Sequence, residues 1–138
     1  MNARPDPADP GFTNQVLHQA QALRQQGKLD EALDLLRQTA KTNTDFSQLW
    51  EFNALMGAML LSANLLDDAS AHIERALRTN PGHAPALYGL FQCDYRRKNY
   101  PKALHGLRKA ICLAPEHAGY IEHLSLAAAA TNDFDLAR

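Results

Sequence analysis

The sequence predicts an all-α chain in which antiparallel helix pairs stack as a solenoid of about three and a half repeats. Three observations carry that prediction. From Phe12 onward apolar residues recur at steps of three and four: Val16, Ala20 and Leu23, then Leu29, Ala32, Leu33 and Leu36. The chain has one Val and three Ile and no stretch that alternates apolar with polar, so strands have nothing to build on. Residues also recur at an interval of 34: Ala69, Ala103 and Ala137, then Ala76 and Ala110, Pro81 and Pro115, and His83 and His117.

Residues 1–11, MNARPDPADPG, hold Pro5, Pro7 and Pro10 and almost no large apolar side chain, so a flexible, Pro-rich tail is expected there. Residues 12–138 form the repeat domain, divided at about 13–49, 50–83, 84–117 and an incomplete 118–138. Helices are expected at about 13–26, 29–42, 45–63, 66–79, 84–97, 100–113 and 117–131, with an eighth starting near Asp133. Gly27 ends the first helix, Asn64 the third, Lys98–Asn99 the fifth and Asn132 the seventh. Pro81 and Pro115 forbid continuation of the helices before them, because proline lacks the N–H and clashes with the preceding turn. Pro85 and Pro101 sit just inside helix starts, where a missing N–H costs nothing. Ala32 precedes Ala69 by 37, which is 34 plus an insertion of three between Thr42 and Trp50.

Composition narrows the function. At 138 residues, 46% apolar and 21% charged, the chain is of single-domain size and foldable throughout its repeat region. Its apolar runs are too short to span a membrane, and Met1 is followed by a polar stretch instead of a secretory signal. Cys93 and Cys112 form neither a CxxC motif nor a disulfide framework, and buried, inert thiols in a reducing, cytoplasmic setting are expected. The net charge of −1 argues against wholesale nucleic-acid binding. It hides a skew: residues 12–49 sum to zero and residues 50–83 to −2. Residues 84–115 carry Arg96, Arg97, Lys98, Lys102, Arg108 and Lys109 against Asp94 alone. Solvated helix faces or an acidic partner both account for that excess. The six histidines match no metal or catalytic spacing, and His83 and His117 fit capping roles after their prolines. No phosphate-cradling glycine loop occurs. No catalytic residue, metal or cofactor is therefore expected.

Within the 34-residue frame, the second repeat places Asn53, Met56, Gly57 and Leu60 on its first helix and Ala69, Ile73, Ala76 and Pro81 thereafter. The third places Leu87, Leu90, Phe91, Asp94, Ala103, Leu107, Ala110 and Pro115 in the same slots. The first holds Val16, Gln19, Ala20, Leu23, Ala32, Leu36, Thr39 and Thr44, and the fourth Ile121, Leu124, Ser125, Ala128 and Ala137. This pattern over residues 13–138 resembles the tetratricopeptide repeat. The small residues Ala20, Gly57 and Ser125 stand where each first helix crosses its partner closely. Phe91 and Asp94 depart from the pattern and predict a widened or shifted pair in the third repeat.

The resemblance implies a right-handed α-solenoid whose concave face, lined by the first helix of each pair, binds a protein or peptide. By register the partner-binding set is Asn14, Leu17, Gln21 and Arg24; Ala54, Ala58 and Leu61; Tyr88, Gln92, Tyr95 and Arg96; and Glu122. Leu17, Ala54, Ala58 and Leu61 supply an apolar floor, and tyrosine and arginine are residue types that anchor interfaces. Family members that grip chaperone tails use basic and asparagine side chains at slots filled here by Leu17, Gln21, Leu55, Pro85 and Gly89, so that specialisation is not expected. The asparagine ladder of sugar-transferring members is also missing, its slots holding His18, Leu55, Gly89 and His123. The stretch Leu124–Ala130 is apolar where a terminal cap needs a polar outer face. A further helix pair or a second copy of the chain is expected to cover it. The function expected is a protein-interaction scaffold; the alternative is a substrate-positioning or oligomerisation arm of a larger enzyme, of transferase or hydroxylase type.

Overall fold

Three left-handed residues close the helix pairs. Gly27, Asn64 and Lys98 have φ of 79°, 61° and 65°. In each case the next residue's N–H reaches back five positions, from Lys28 to the Leu23 carbonyl, Leu65 to Leu60 and Asn99 to Asp94, at 2.8–2.9 Å. That bond is the signature of a Schellman helix stop. The links between pairs are built differently. Asn80 and Ala114 are held out of the helical region, with φ of −129° and −137° and ψ of 76° and 68°, because the following Pro81 and Pro115 exclude it.

These stops divide the chain, in a computed structural model that describes residues 10–136 and the side chains of 11–130. The helices are α1 (Pro10–Gln25), α2 (Leu29–Thr42), α3 (Thr44–Gln48), α4 (Trp50–Ser62), α5 (Leu66–Thr79), α6 (Ala84–Arg96), α7 (Tyr100–Leu113) and α8 (Ala118–Leu136). The described residues contain no strand. The pairs α1–α2, α4–α5 and α6–α7 pack side by side, and each leans on the next.

Three sequence expectations need correction. Most of the tail, residues 1–9, lies outside the described residues, but Pro10 and Gly11 open α1. The single helix expected over 45–63 is two, because Leu49 is extended (φ −68°, ψ 135°) between α3 and α4. The inserted residues thus form an extra turn, capped where the Asn43 side chain accepts a hydrogen bond from the Phe46 N–H at 3.2 Å. Asn132 stops nothing: α8 runs unbroken to Leu136, and no second helix of the fourth pair forms within the described residues. Asparagine inside a helix costs only about 0.5 kcal/mol relative to good helix formers, and no proline enforces a stop there. Ala137 lies outside the described residues.

The core forms where small residues let helices meet. Ala20, Ala32, Ala69, Ala76, Ala103 and Ala110 are wholly buried. Gly57 is the tightest crossing: a Cβ there would lie 2.4 Å from Ile73 Cγ1 and 3.2 Å from the Ala69 carbonyl oxygen. One apolar cluster runs through α1–α5 and takes in Ala86 and Cys93 of α6, a second fills the rest of α6 with α7 and α8, and Leu77 packs against both. In the third pair Phe91 is buried opposite Ala103, yet α6 packs along α7 nearly as extensively as α4 along α5. Phe91 turns toward α8, where its ring lies 6.4 Å from that of His123, flanked by Tyr88 and Tyr95 of its own helix at 5.8 and 5.6 Å.

Candidate functional site

Because partners within a pair run antiparallel, α1, α4 and α6 run parallel to one another and share a face. Between them lies a cavity of about 740 Å³. From α1 it takes Leu17, His18, Gln21 and Arg24, a spacing that follows one face of a helix. Its floor is Leu17, Ala54, Ala58 and Leu61, with Ile73 of α5 plugging the space behind α4 and α6. Small side chains at 54 and 58 leave the room; larger ones would fill it. Gln21, Gln92, Arg24 and Arg96 stand around the floor. The cavity is polarised along its length. Arg24, Ser62 and Arg96 come from the C-terminal ends of their helices, whereas Trp50, Glu51 and Pro85 come from the N-terminal ends.

Nine of the twelve expected partner-binding residues line this cavity: Leu17, Gln21, Arg24, Ala54, Ala58, Leu61, Tyr88, Gln92 and Arg96. Asn14, Tyr95 and Glu122 do not. Tyr88, Phe91 and Tyr95 form a stripe of α6 at steps of three and four. It turns toward α8 and α7: the Tyr95 ring meets Tyr100 at 5.3 Å and the Tyr88 ring stacks on Tyr120 at 4.9 Å. The Tyr88 hydroxyl also bonds His123 Nδ1 at 2.7 Å. Burial, and then the neighbouring Tyr120, push the Tyr88 hydroxyl above its ordinary pKa. Tyr88 therefore serves both the cavity wall and the α6–α8 junction.

Sequence register missed Trp50 and His83. Their rings meet at 4.8 Å at the N-terminal end of the cavity, and burial lowers the His83 pKa. Trp50 opens α4 and His83 is the N-cap of α6, both at helix starts that the helical phase of the other residues did not reach; the rarity of tryptophan was the available signal. The slots that hold chaperone-gripping groups in other repeats do line the cavity here, as Leu17, Gln21, Leu55, Pro85 and Gly89. Among them only Gln21 is polar.

The basic excess of the third repeat is partly spent inside the molecule. The Arg97 guanidinium donates to the Leu66 carbonyl at 2.7 Å and to Ser70 Oγ, and lies 3.8 Å from Asp67. Lys102 pairs with Glu74 at 3.8 Å. Arg96 donates to the Leu61 carbonyl at 3.2 Å, a cation at the negative end of α4. The acidic second repeat and the basic third are thus stitched together. Asp94, where a large apolar group was expected, is buried, and its carboxyl is pushed above the usual range by burial, against the pull of Lys102 and Arg97.

Of the thiols, Cys93 is buried and raised in pKa chiefly by burial. Cys112 is exposed, because it follows the buried stripe Ala103–Leu107–Ala110 of α7 on the outer side. His117 behaves as a cap: its Nδ1 accepts from the Tyr120 N–H at 3.3 Å. Among the described residues no cluster of His, Cys, Asp or Glu has a metal-holding arrangement, and no helix is long and apolar enough to cross a membrane.

Stacked helix pairs, small residues at each crossing and a groove lined by the first helix of every pair define an α-solenoid of helical repeats. Residues 60–117 match the family described as tetratricopeptide repeat. That stretch carries the tetratricopeptide pattern, and the described residues as a whole share the fold of solved tetratricopeptide solenoids. Its fold is similar to that of MamA from Desulfovibrio magneticus RS-1, with a TM-score of 0.78 and 22% identity over 91% of this chain and 69% of that one. The first tetratricopeptide domain of human RPAP3 is similar with a TM-score of 0.81 and 13% identity, covering 94% of this chain and 100% of that one. A mutant O-GlcNAc transferase of Thermobaculum terrenum gives 0.77 and 19% over 92% of this chain, which spans only 23% of that protein. No curated protein matches the chain by sequence.

Proposed function

We propose that the chain is a protein-interaction scaffold that holds a peptide or a segment of a partner protein in the groove between α1, α4 and α6. The observation that carries this reading is the cavity itself: an apolar floor of Leu17, Ala54, Ala58 and Leu61 ringed by amides and guanidiniums. A floor of that kind takes up an apolar side chain, while Gln21 and Gln92 are suited to a ligand's backbone amides. The first tetratricopeptide domain of RPAP3, similar in fold, has been solved bound to an HSP90 peptide, which supports a peptide-binding use of this architecture. At the slots where chaperone-gripping repeats carry basic and asparagine side chains, this chain has Leu17, Gln21, Leu55, Pro85 and Gly89, so the ligand here is expected to rely on apolar contact instead of a gripped terminal carboxylate.

A phage-displayed peptide library panned against the full chain tests the reading. Peptides selected by the wild type should lose binding to Ala58→Arg, which fills the floor, while circular dichroism shows the variant folded. Equal binding to both proteins would overturn it.

Two observations favour further roles. Ile121 and Leu126 of α8 are 45% and 63% exposed, which supports self-association through that helix. Leu126→Glu should then lower the sedimentation coefficient at micromolar concentration. The Thermobaculum transferase, of which this chain spans a fraction, supports service as the non-catalytic arm of a larger enzyme.

A further inference from the structure

Helix α4 has a second working face. Opposite Ala54 and Ala58, its residues Phe52, Asn53, Met56 and Leu60 floor another cavity, of about 960 Å³. The walls are α2 and α5, and each carries a pair of cations about one turn apart: Arg37 with Lys41, and Arg75 with Arg78. All four are exposed, and among the described residues none of them lies in an ion pair. Asp68 also lines the cavity.

The groove follows from the insertion. With α3 set between them, α2 packs on α4 far less extensively than α5 does on α6, so the junction of the first two pairs stays open on its outer side. A polar network fixes the linker at this place. The buried Asn53 donates from Nδ2 to the carbonyls of Ser47 and Leu49 at 3.2 and 3.0 Å. Its Oδ1 is left to accept from His72 Nδ1, 2.9 Å away, which puts the imidazole proton on Nδ1. The positive character of the groove is felt by this ring: burial and then Arg75 lower its pKa, Asp68 opposing and Arg37 adding.

We propose that this outer groove binds an acidic peptide segment in extended conformation, distinct from whatever occupies the inner groove. Successive side chains of an extended chain point to opposite sides, so neighbouring carboxylates would meet the α2 pair and the α5 pair in turn. Guanidiniums take carboxylates in a two-pronged, charge-assisted geometry. Phe52 and Met56 are buried beneath the floor, so the cations of the two walls supply the recognition. In the inner groove, by contrast, Arg96 is already engaged with the Leu61 carbonyl and Asn64.

The test is fluorescence polarisation of a fluorescein-labelled hexapeptide of alternating Glu and Asp titrated with the full chain. Arg37→Ala combined with Arg75→Ala removes one cation from each wall. It should weaken binding about tenfold or more. Arg108→Ala combined with Lys109→Ala makes the same change in net charge on the outer surface of α7 and should alter binding less than about twofold. Thermal melts confirm that both exposed pairs leave the fold intact. Absence of saturable binding overturns the proposal, as does an equal loss in the two double variants. Displacement of the labelled peptide by tripolyphosphate at lower concentration than by unlabelled peptide overturns the peptide assignment.

Discussion

Adding one methyl group at Gly57 should destabilise the chain although it improves helix propensity. On an open helix face, glycine to alanine gains about 1 kcal/mol. At this position the new Cβ would sit 2.4 Å from Ile73 Cγ1, with Ile73 Cδ1 and the Ala69 carbonyl at 3.2 Å. Ordinary contact begins near 3.4 Å, so α4 and α5 must separate by roughly 1 Å or Ile73 must leave its rotamer, since interiors have no slack. Ile73 cannot swing freely, because it is fully buried in the core between α4 and α6. Overpacking of this kind costs about 1–3 kcal/mol. A contact of 2.4 Å puts the cost in the upper half of that range, so after the propensity gain Gly57→Ala should lose about 1–2 kcal/mol, read as a drop in melting temperature of about 3–8 °C by circular dichroism. Ile73→Ala alone should cost about 2–5 kcal/mol. The double variant should cost less than the sum, because the added methyl occupies part of the space vacated. A Gly57→Ala protein as stable as the wild type, or strictly additive losses, would refute the close-crossing reasoning.

Three further outcomes follow from the same geometry. Lys98→Gly should raise stability by about 0.5–1 kcal/mol in urea titrations, since a side chain in the left-handed region is strained and glycine is not; Asn64→Gly should gain less, because asparagine tolerates that region. Arg97→Ala should cost about 1 kcal/mol, from the lost bonds to the Leu66 carbonyl and Ser70, whereas Asp67→Ala should stay within about 0.5 kcal/mol because its carboxylate is almost fully exposed. Stability should fall on acidification below pH 6.5: burial holds His72 and His83 under their ordinary value of 6.5, so there the unfolded chain binds more protons than the folded one. Asp94, raised by burial, acts in the opposite sense above pH 3.8; urea midpoints at pH 7.5 and 5.5 should therefore differ less in His72→Gln than in the wild type.

The repeat frame was legible because it rests on local chemistry. Gly27, Asn64 and Lys98 mark helix stops, Pro81 and Pro115 mark links, and the alanines 34 apart mark crossings; each acts on the backbone next to it. What was not legible depended on partners. Nothing in the residues around Asn132 says whether a returning helix would be rewarded, and α8 runs straight on. Register placed Tyr95 on the inner face, but a helix has two apolar flanks, and the arrival of α8 and Tyr100 decides which one buries it. Cys112 was assigned to the core edge on spacing alone, one residue too far around α7.

The insertion between Thr42 and Trp50 had the largest consequence and showed in the sequence only as a count of three. It breaks the expected helix at Leu49, sets α3 between α2 and α4, and opens the outer groove. The charges that line that groove were hidden for a related reason. Summed along the chain, residues 12–49 are neutral and residues 50–83 acidic. The fold sorts by face instead of by segment. It gathers Arg37 and Lys41 with Arg75 and Arg78 and turns Glu31, Asp34 and Glu74 out of that groove's lining. Helix α4, apolar around most of its surface, is where these effects meet, since a helix of that kind must be covered on every side or leave usable grooves. Here it is covered by α5 through Gly57, half-exposed where Ala54 and Ala58 floor the inner groove, and buried at Phe52 and Met56 beneath the outer one.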